Sequence, residues 1–198
     1  MNKGRRTAVI HGLGGIGKTQ LAIAYCKRHR AHYSTALWLN ARDESSLKQS
    51  FDRLAERILH HDQSMTYIAR ARESRDTDMI VAAVKRWLDD SANDSWLLVC
   101  DNYDRPTANT IPHRRGQTSL TNEHHPDAED VGHQDQTSVK AFDLGLYLPH
   151  TDHGAVIITS RSPVNMGPPI KVGKLLAIDD SLKILALTSG RDGIKLGK

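Results

Sequence analysis

Thr7-Ala8-Val9-Ile10-His11-Gly12-Leu13-Gly14-Gly15-Ile16-Gly17-Lys18-Thr19-Gln20-Leu21-Ala22 is the stretch on which the fold turns. Thr7 to Ile10 form a short β-branched and apolar run that reads as a buried strand. Leu21, Ala22, Tyr25 and Cys26 then recur at helical spacing. Between the two, Gly12 to Thr19 fits the pattern G-x-x-x-x-G-K-[ST], in the strand, loop, helix setting that this pattern requires. The glycines let backbone N–H groups close around phosphate oxygens without Cβ clashes, and the following helix turns its positive end toward the same anion. Lys18 is expected to reach the β- and γ-phosphates. Thr19 is expected to offer its hydroxyl to magnesium, an ion that keeps several waters and takes few protein ligands.

The same alternation continues outward. Ala36-Leu37-Trp38-Leu39 reads as a second strand, followed by Asp43 as a helix cap and by Leu47, Phe51, Leu54, Ala55 and Ile58 along one helical face. Met79, Ile80, Ala83, Val84, Trp87 and Leu88 mark another amphipathic helix. Trp96 to Cys100 and Ala155 to Thr159 are a third and a fourth strand, and Ile170 to Val172 a short fifth. Near-continuous apolar strands alternating with helices imply a parallel sheet covered on both faces. Ala141 to Pro149 reads as a short helix leading into the fourth strand, and Asp179-Asp180-Ser181 caps a predicted helix through Leu187. Residues 105–140 differ: a polar tract with almost no apolar periodicity, expected to be a disordered insertion. Its histidines, His113, His124, His125 and His133, lack the spacing of a zinc site.

Composition narrows the function classes. A length of 198 residues suits one domain over 1–198. The 27 basic and 23 acidic residues give a formal charge of +4, yet they are interspersed, which argues against a nucleic-acid surface. Lys27-Arg28-His29-Arg30, a dense basic run, closes a predicted helix, where cations complement the helix dipole. Cys26 and Cys100 fall in apolar segments and read as buried, reduced thiols. The apolar run after Lys3-Gly4-Arg5-Arg6 is too short for a signal peptide, and no stretch reaches transmembrane length. A cytoplasmic protein without a membrane partner is the expectation.

Magnesium needs a carboxylate at the end of a neighbouring strand, and Leu97-Leu98-Val99-Cys100-Asp101 has that Walker B form. Thr19 and Asp101 are therefore the expected metal ligands. The next residue, Asn102, stands where a catalytic acid would, and a neutral amide can hold a water but is a poor base. Weak hydrolysis at best is expected, with Asp104 or Asp43 as distant substitutes. Thr159-Ser160-Arg161 brings a fixed positive charge to the fourth strand's tip, within reach of a γ-phosphate. The expected nucleotide-binding set is thus Gly12, Leu13, Gly14, Gly15, Ile16, Gly17, Lys18, Thr19, Gln20 and Arg161. The absence of an N-K-x-D motif after the third strand favours adenine, hence ADP or ATP with Mg2+.

His11 to Ala22, Trp96 to Asn102 and Gly154-Ala155-Val156-Ile157-Ile158-Thr159-Ser160-Arg161 together resemble the NB-ARC family of signalling ATPases, most of all its fungal receptor-like members. The resemblance covers most of residues 7–190 outside the polar tract. It implies a P-loop NTPase fold, a three-layer α/β/α sandwich around a mainly parallel five-stranded sheet of order 5-1-4-3-2. It places Lys18 and Thr19 on phosphate and magnesium, Asp101 on magnesium, and Arg161 as the nucleotide sensor. Members are held off by ADP and turned on by exchange for ATP, so that nucleotide acts through differential affinity for two conformations. A role in defence or cell-death signalling follows, with protein partners or self-association in the full-length context. Asn102 stands where many relatives carry a second aspartate. The chain also ends near Lys198, before the helical and winged-helix subdomains of the family. Two other readings stay open: an active ATPase or small-molecule kinase, although the Arg114-Arg115 pair that would serve its lid lies in the polar tract, and a degenerate, truncated fragment without stable activity.

Overall fold

Trp96–Asp101 and Ala155–Ser160 are buried at all six of their positions, which requires a sheet covered on both faces. A computed structural model describes residues 6–104, 106 and 141–173. It places these two segments, β3 and β4, at the centre of a five-stranded sheet with β1 (Arg6–His11), β2 (Thr35–Asn40) and β5 (Pro169–Lys171). Every pairing is parallel and the order is β2-β3-β4-β1-β5, which is 5-1-4-3-2 read from the other edge. The helices are α1 (Lys18–Arg28), α2 (Glu44–His61), α3 (Thr66–Glu73) and α4 (Thr77–Asp89). The chain is thus α/β with an all-parallel sheet.

Alternation along the strands separates two apolar clusters. Val9, Leu37, Leu39, Leu98, Cys100, Val156 and Ile158 pack on one face against Leu47, Phe51, Leu54 and Ile58 of α2, Ile68 of α3, and Ile80, Val84 and Leu88 of α4. Ile10, Leu97, Val99, Ala155 and Ile157 face the other way, toward Ala22 of α1. Burial of these side chains supplies about 1.5–3 kcal/mol each relative to exposure. Trp96 adds a directional tie, its indole N–H donating to the Leu88 carbonyl at 2.9 Å inside the core. β5 is an exposed edge strand, and Pro169 at its start is tolerated there because an edge position need not donate to a ladder.

The structure departs from the sequence reading in two places. Residues 141–149 contain a 3-10 turn over Leu144–Tyr147 rather than an α-helix. Phe142, Leu144, Tyr147 and Leu148 are all buried, a set that does not follow one helical face, and Pro149 ends the segment. Helix α3, conversely, carries no strong apolar stripe: Ile68 and Ala71 alone are buried among its eight residues. Apart from Pro106, which bridges to Phe142, the polar tract at 105–140 lies outside the described residues, as does the expected helix after Asp179. Among the described residues no helix is long and apolar enough to cross a membrane.

Candidate functional site

Parallel strands deliver their C-terminal ends to one edge of the sheet, so the segments after β1, β3 and β4 meet there. After β1 the chain enters the glycine loop. Gly12 has no room for a side chain: a Cβ would lie 2.5 Å from the Val172 carbonyl oxygen, because the residues after β5 pair back onto His11 through Val172 N–H at 2.8 Å. Gly15 and Gly17 sit in open space at φ 73° and 98°, so there glycine answers a backbone requirement. The loop is anchored by Gly12 N–H on the Ser160 carbonyl at 3.3 Å.

Helix α1 begins at Lys18 with Gly17 as its N-cap, without a side-chain cap bond and without an acid in its first turn. In α2 and α4 the caps are Asp43 and Asp76, whose carboxylates accept from first-turn N–H groups. The positive end of α1 is therefore not neutralised by a capping carboxylate, and it opens onto exposed Gly14 and Gly15. Lys18 folds over this mouth, its ammonium donating to the Gly12 and Leu13 carbonyls at 2.9 Å each.

Asp101, 5% exposed at the end of β3, lies directly across from α1. Thr19 Oγ1 donates to Asp101 Oδ1 at 2.9 Å, and Thr159 Oγ1, from β4, donates to the same oxygen at 2.5 Å. The Asn102 side-chain amide reaches Oδ2 at 3.4 Å, while its backbone N–H donates to Thr159 Oγ1 at 2.9 Å. Asn102 adopts φ 67°, a left-handed conformation that asparagine tolerates better than most residues. These side-chain donors on Asp101 are neutral, so its charge is hydrogen-bonded but not ion-paired by them. One hydroxyl and one carboxylate in contact suit a hard cation that takes its other ligands from water and phosphate, and Thr19 with Asp101 fits magnesium on that ground.

Arg161 leaves the tip of β4 and meets Asp104, three residues beyond Asp101. Asp104 accepts the Arg161 backbone N–H on Oδ1 at 2.7 Å and Nε on Oδ2 at 2.9 Å. The guanidinium lies beside the loop, with Nε 3.8 Å from where a Gly14 Cβ would stand. Tyr103 fixes this segment from below: its N–H donates to the Thr159 carbonyl at 2.9 Å and its buried hydroxyl donates to the Phe142 carbonyl at 2.9 Å.

The chain matches no protein-family model and no curated protein.

Gly12 to Thr19, Asp101, Asn102 and Arg161 are gathered at one sheet edge. Leu13 is exposed, Ile16 half-buried, and Gln20 exposed in the first turn of α1. Asp43 is engaged elsewhere: it caps α2, and the Ser46 backbone N–H holds its carboxyl below the usual carboxylate range, with Arg42 assisting. His113, His124, His125, His133 and the Arg114-Arg115 pair lie outside the described residues. Sequence reasoning missed Thr159 as a member of the site and gave Asp104 only as a distant substitute base. Thr159 bridges Asp101 and the Asn102 backbone, and its signal was a hydroxyl inside a fully apolar strand adjoining the Asp101 strand. Asp104 grips Arg161, and nothing in their spacing marks that pairing. A cavity of about 1110 Å3 lies apart, between α2 and the α3–α4 junction. Four of its charges are paired, Arg72 with Asp52 at 2.9 Å and Lys48 with Glu44 at 3.2 Å, and Asp43 caps α2.

Proposed function

We propose that the chain is an NB-ARC-type P-loop domain that binds ADP or ATP with magnesium and serves as the nucleotide-dependent switch of a cytoplasmic signalling protein, in a defence or cell-death setting. The observation that carries the reading is the pairing of an uncapped, glycine-built helix start with Thr19 and Asp101 in contact beneath it. Backbone N–H groups of the loop and the first turn of α1 would bind phosphate oxygens. Lys18 would exchange its two carbonyl partners for phosphate, a charge-assisted bond in place of neutral ones. Thr19 and Asp101 would hold magnesium, which neutralises phosphate charge when bound. Arg161 supplies a fixed positive charge beside Gly14, where a third phosphate would be read.

Turnover is expected to be weak. Asn102 directs its amide to Asp101 and offers no base, and Asp43 is taken by its helix cap. A site that binds without rapid hydrolysis suits a switch whose states differ in affinity for the two nucleotides. Cys26 and Cys100 are thiols not joined in a disulfide, which suits a reducing compartment.

The test is a titration with fluorescent ADP and ATP, with and without magnesium, alongside phosphate release. Saturable binding, weakened at least about tenfold by Lys18→Ala and made insensitive to magnesium by Thr19→Ala, is the expected result. Rapid, sustained phosphate release would replace the switch with an active ATPase, and no binding by folded protein would end the nucleotide reading.

A further inference from the structure

We propose that Asp104 is a positioning residue that holds Arg161 in a paired state and so sets the preference between diphosphate and triphosphate. This rests on the nucleotide-binding reading above.

One carboxylate is used twice on one residue. Oδ1 takes the Arg161 backbone N–H, which fixes where the β4 tip ends, and Oδ2 takes Nε, which fixes where the side chain starts to turn. The Asp104 side chain is 23% exposed whereas that of Arg161 is 69% exposed, so the acid is the anchored partner and the guanidinium the one that faces outward. Asp104 itself is held from behind, by its N–H on the Asn102 carbonyl at 2.8 Å and by buried Tyr103. With Nε engaged, the terminal nitrogens remain the donors available to a ligand, on a guanidinium whose Nε and Cζ stand 3.8 and 4.0 Å from where a Gly14 Cβ would be.

Two nucleotides meet this pair differently. A diphosphate is bound by the loop and by Lys18, and does not call on Arg161. A third phosphate has to draw on a guanidinium whose charge is already shared with a carboxylate. Asp104 therefore lowers the affinity for triphosphate while leaving diphosphate almost untouched. Removing its charge while keeping its shape releases Arg161 to the third phosphate.

The experiment measures ADP and ATP affinities of the full 198-residue chain and of Asp104→Asn, Asp104→Ser, Arg161→Gln and the Asp104→Asn/Arg161→Gln double variant. Thermal melting and circular dichroism are recorded for each. Asp104→Asn is expected to raise the ATP-to-ADP affinity ratio about fivefold, with Asp104→Ser acting in the same direction. In the Arg161→Gln background the same change is expected to move the ratio less than about twofold, since the effect travels through the arginine. A fivefold effect that persists without Arg161 would overturn the proposal and make Asp104 a direct repulsive charge. Equal loss of both affinities with a lowered Tm would overturn it in favour of a purely structural tie. Lys18-dependent binding with an unchanged ratio would sink this inference alone, whereas no binding by the folded wild-type chain would remove the nucleotide reading with it.

Discussion

A carboxylate as buried as Asp101 needs donors around it, and Thr159 supplies the shortest of them while accepting the Asn102 N–H. Thr159→Val would take the bond from Asp101 and leave a partly buried N–H without its acceptor. The expected cost is about 1–3 kcal/mol, read as a lower urea midpoint at unchanged slope, with Thr159→Ser close to wild type. The contrast between Thr159 and Lys18 explains what could be read in advance. Lys18, Thr19 and Asp101 stood out because they match a known pattern of spacing to the glycines or of place at a strand end, and the structure brings them to one sheet edge. Threonine is also a good strand former, so at Thr159 the sequence offers a packing reason that hides the polar one.

A second residue-scale case is Glu44, whose carboxylate accepts from the Tyr147 hydroxyl. That bond first, and Lys48 second, hold Glu44 below its ordinary range, while burial and then the Glu44 bond push Tyr147 up to about 12. A depressed carboxylate stabilises the fold above its unfolded value and loses that contribution as pH falls through the folded one. A raised phenol stabilises below its unfolded value near 10 and loses that as pH rises through about 12. Tyr147→Phe is therefore expected to be less stable than wild type at neutral pH, by under about 1 kcal/mol since Glu44 is half exposed. The gap should narrow as pH falls below about 4 and again as it rises from about 10 toward 12, in denaturation curves taken across pH.

Among elements, the helices divide by how they start. Asp76 accepts from Asp78 N–H at 2.9 Å and Met79 N–H at 3.4 Å, and Asp76→Ala should lower stability by about 1 kcal/mol in urea denaturation. Helices α1 and α3 start without such a side-chain cap, α1 after the glycine loop and α3 after Met65. Elements with long apolar stripes were legible: Leu47, Phe51, Leu54, Ala55 and Ile58 mark α2 without ambiguity. Helix α3 was not, since eight residues with two buried side chains carry too little periodicity to separate helix from loop. At 141–149 apolar content was legible but not its geometry, because burial there follows the contacts of Phe142 and Tyr147 rather than a repeat.

At the scale of the molecule, the strand order is the part that local sequence could not supply. Each strand announces itself by its apolar run, yet nothing within Thr7 to His11 states that its neighbours are β4 and β5; the order came through resemblance. The order matters because it seats β1, and the loop after it, beside the strand tip that carries Arg161 and one strand away from Asp101.

The same arrangement gives the protein an internal chemical stopwatch. Cys100 is fully buried in β3, paired between Leu39 and Ile158, immediately before the carboxylate of the site; Cys26 is half-buried on α1, where burial raises its thiol pKa. An aromatic disulfide reagent should therefore modify the two thiols in separate phases, Cys26 first and Cys100 at least about a hundredfold later, at the pace at which the middle of the sheet opens. Any ligand that binds only the closed sheet must slow that phase by a factor of one plus the ratio of its free concentration to its Kd, so that the rate follows the unliganded fraction. The rate of one sulfur's modification thus counts ligand binding at the neighbouring strand tip, with no dye on the ligand and no change to the chain.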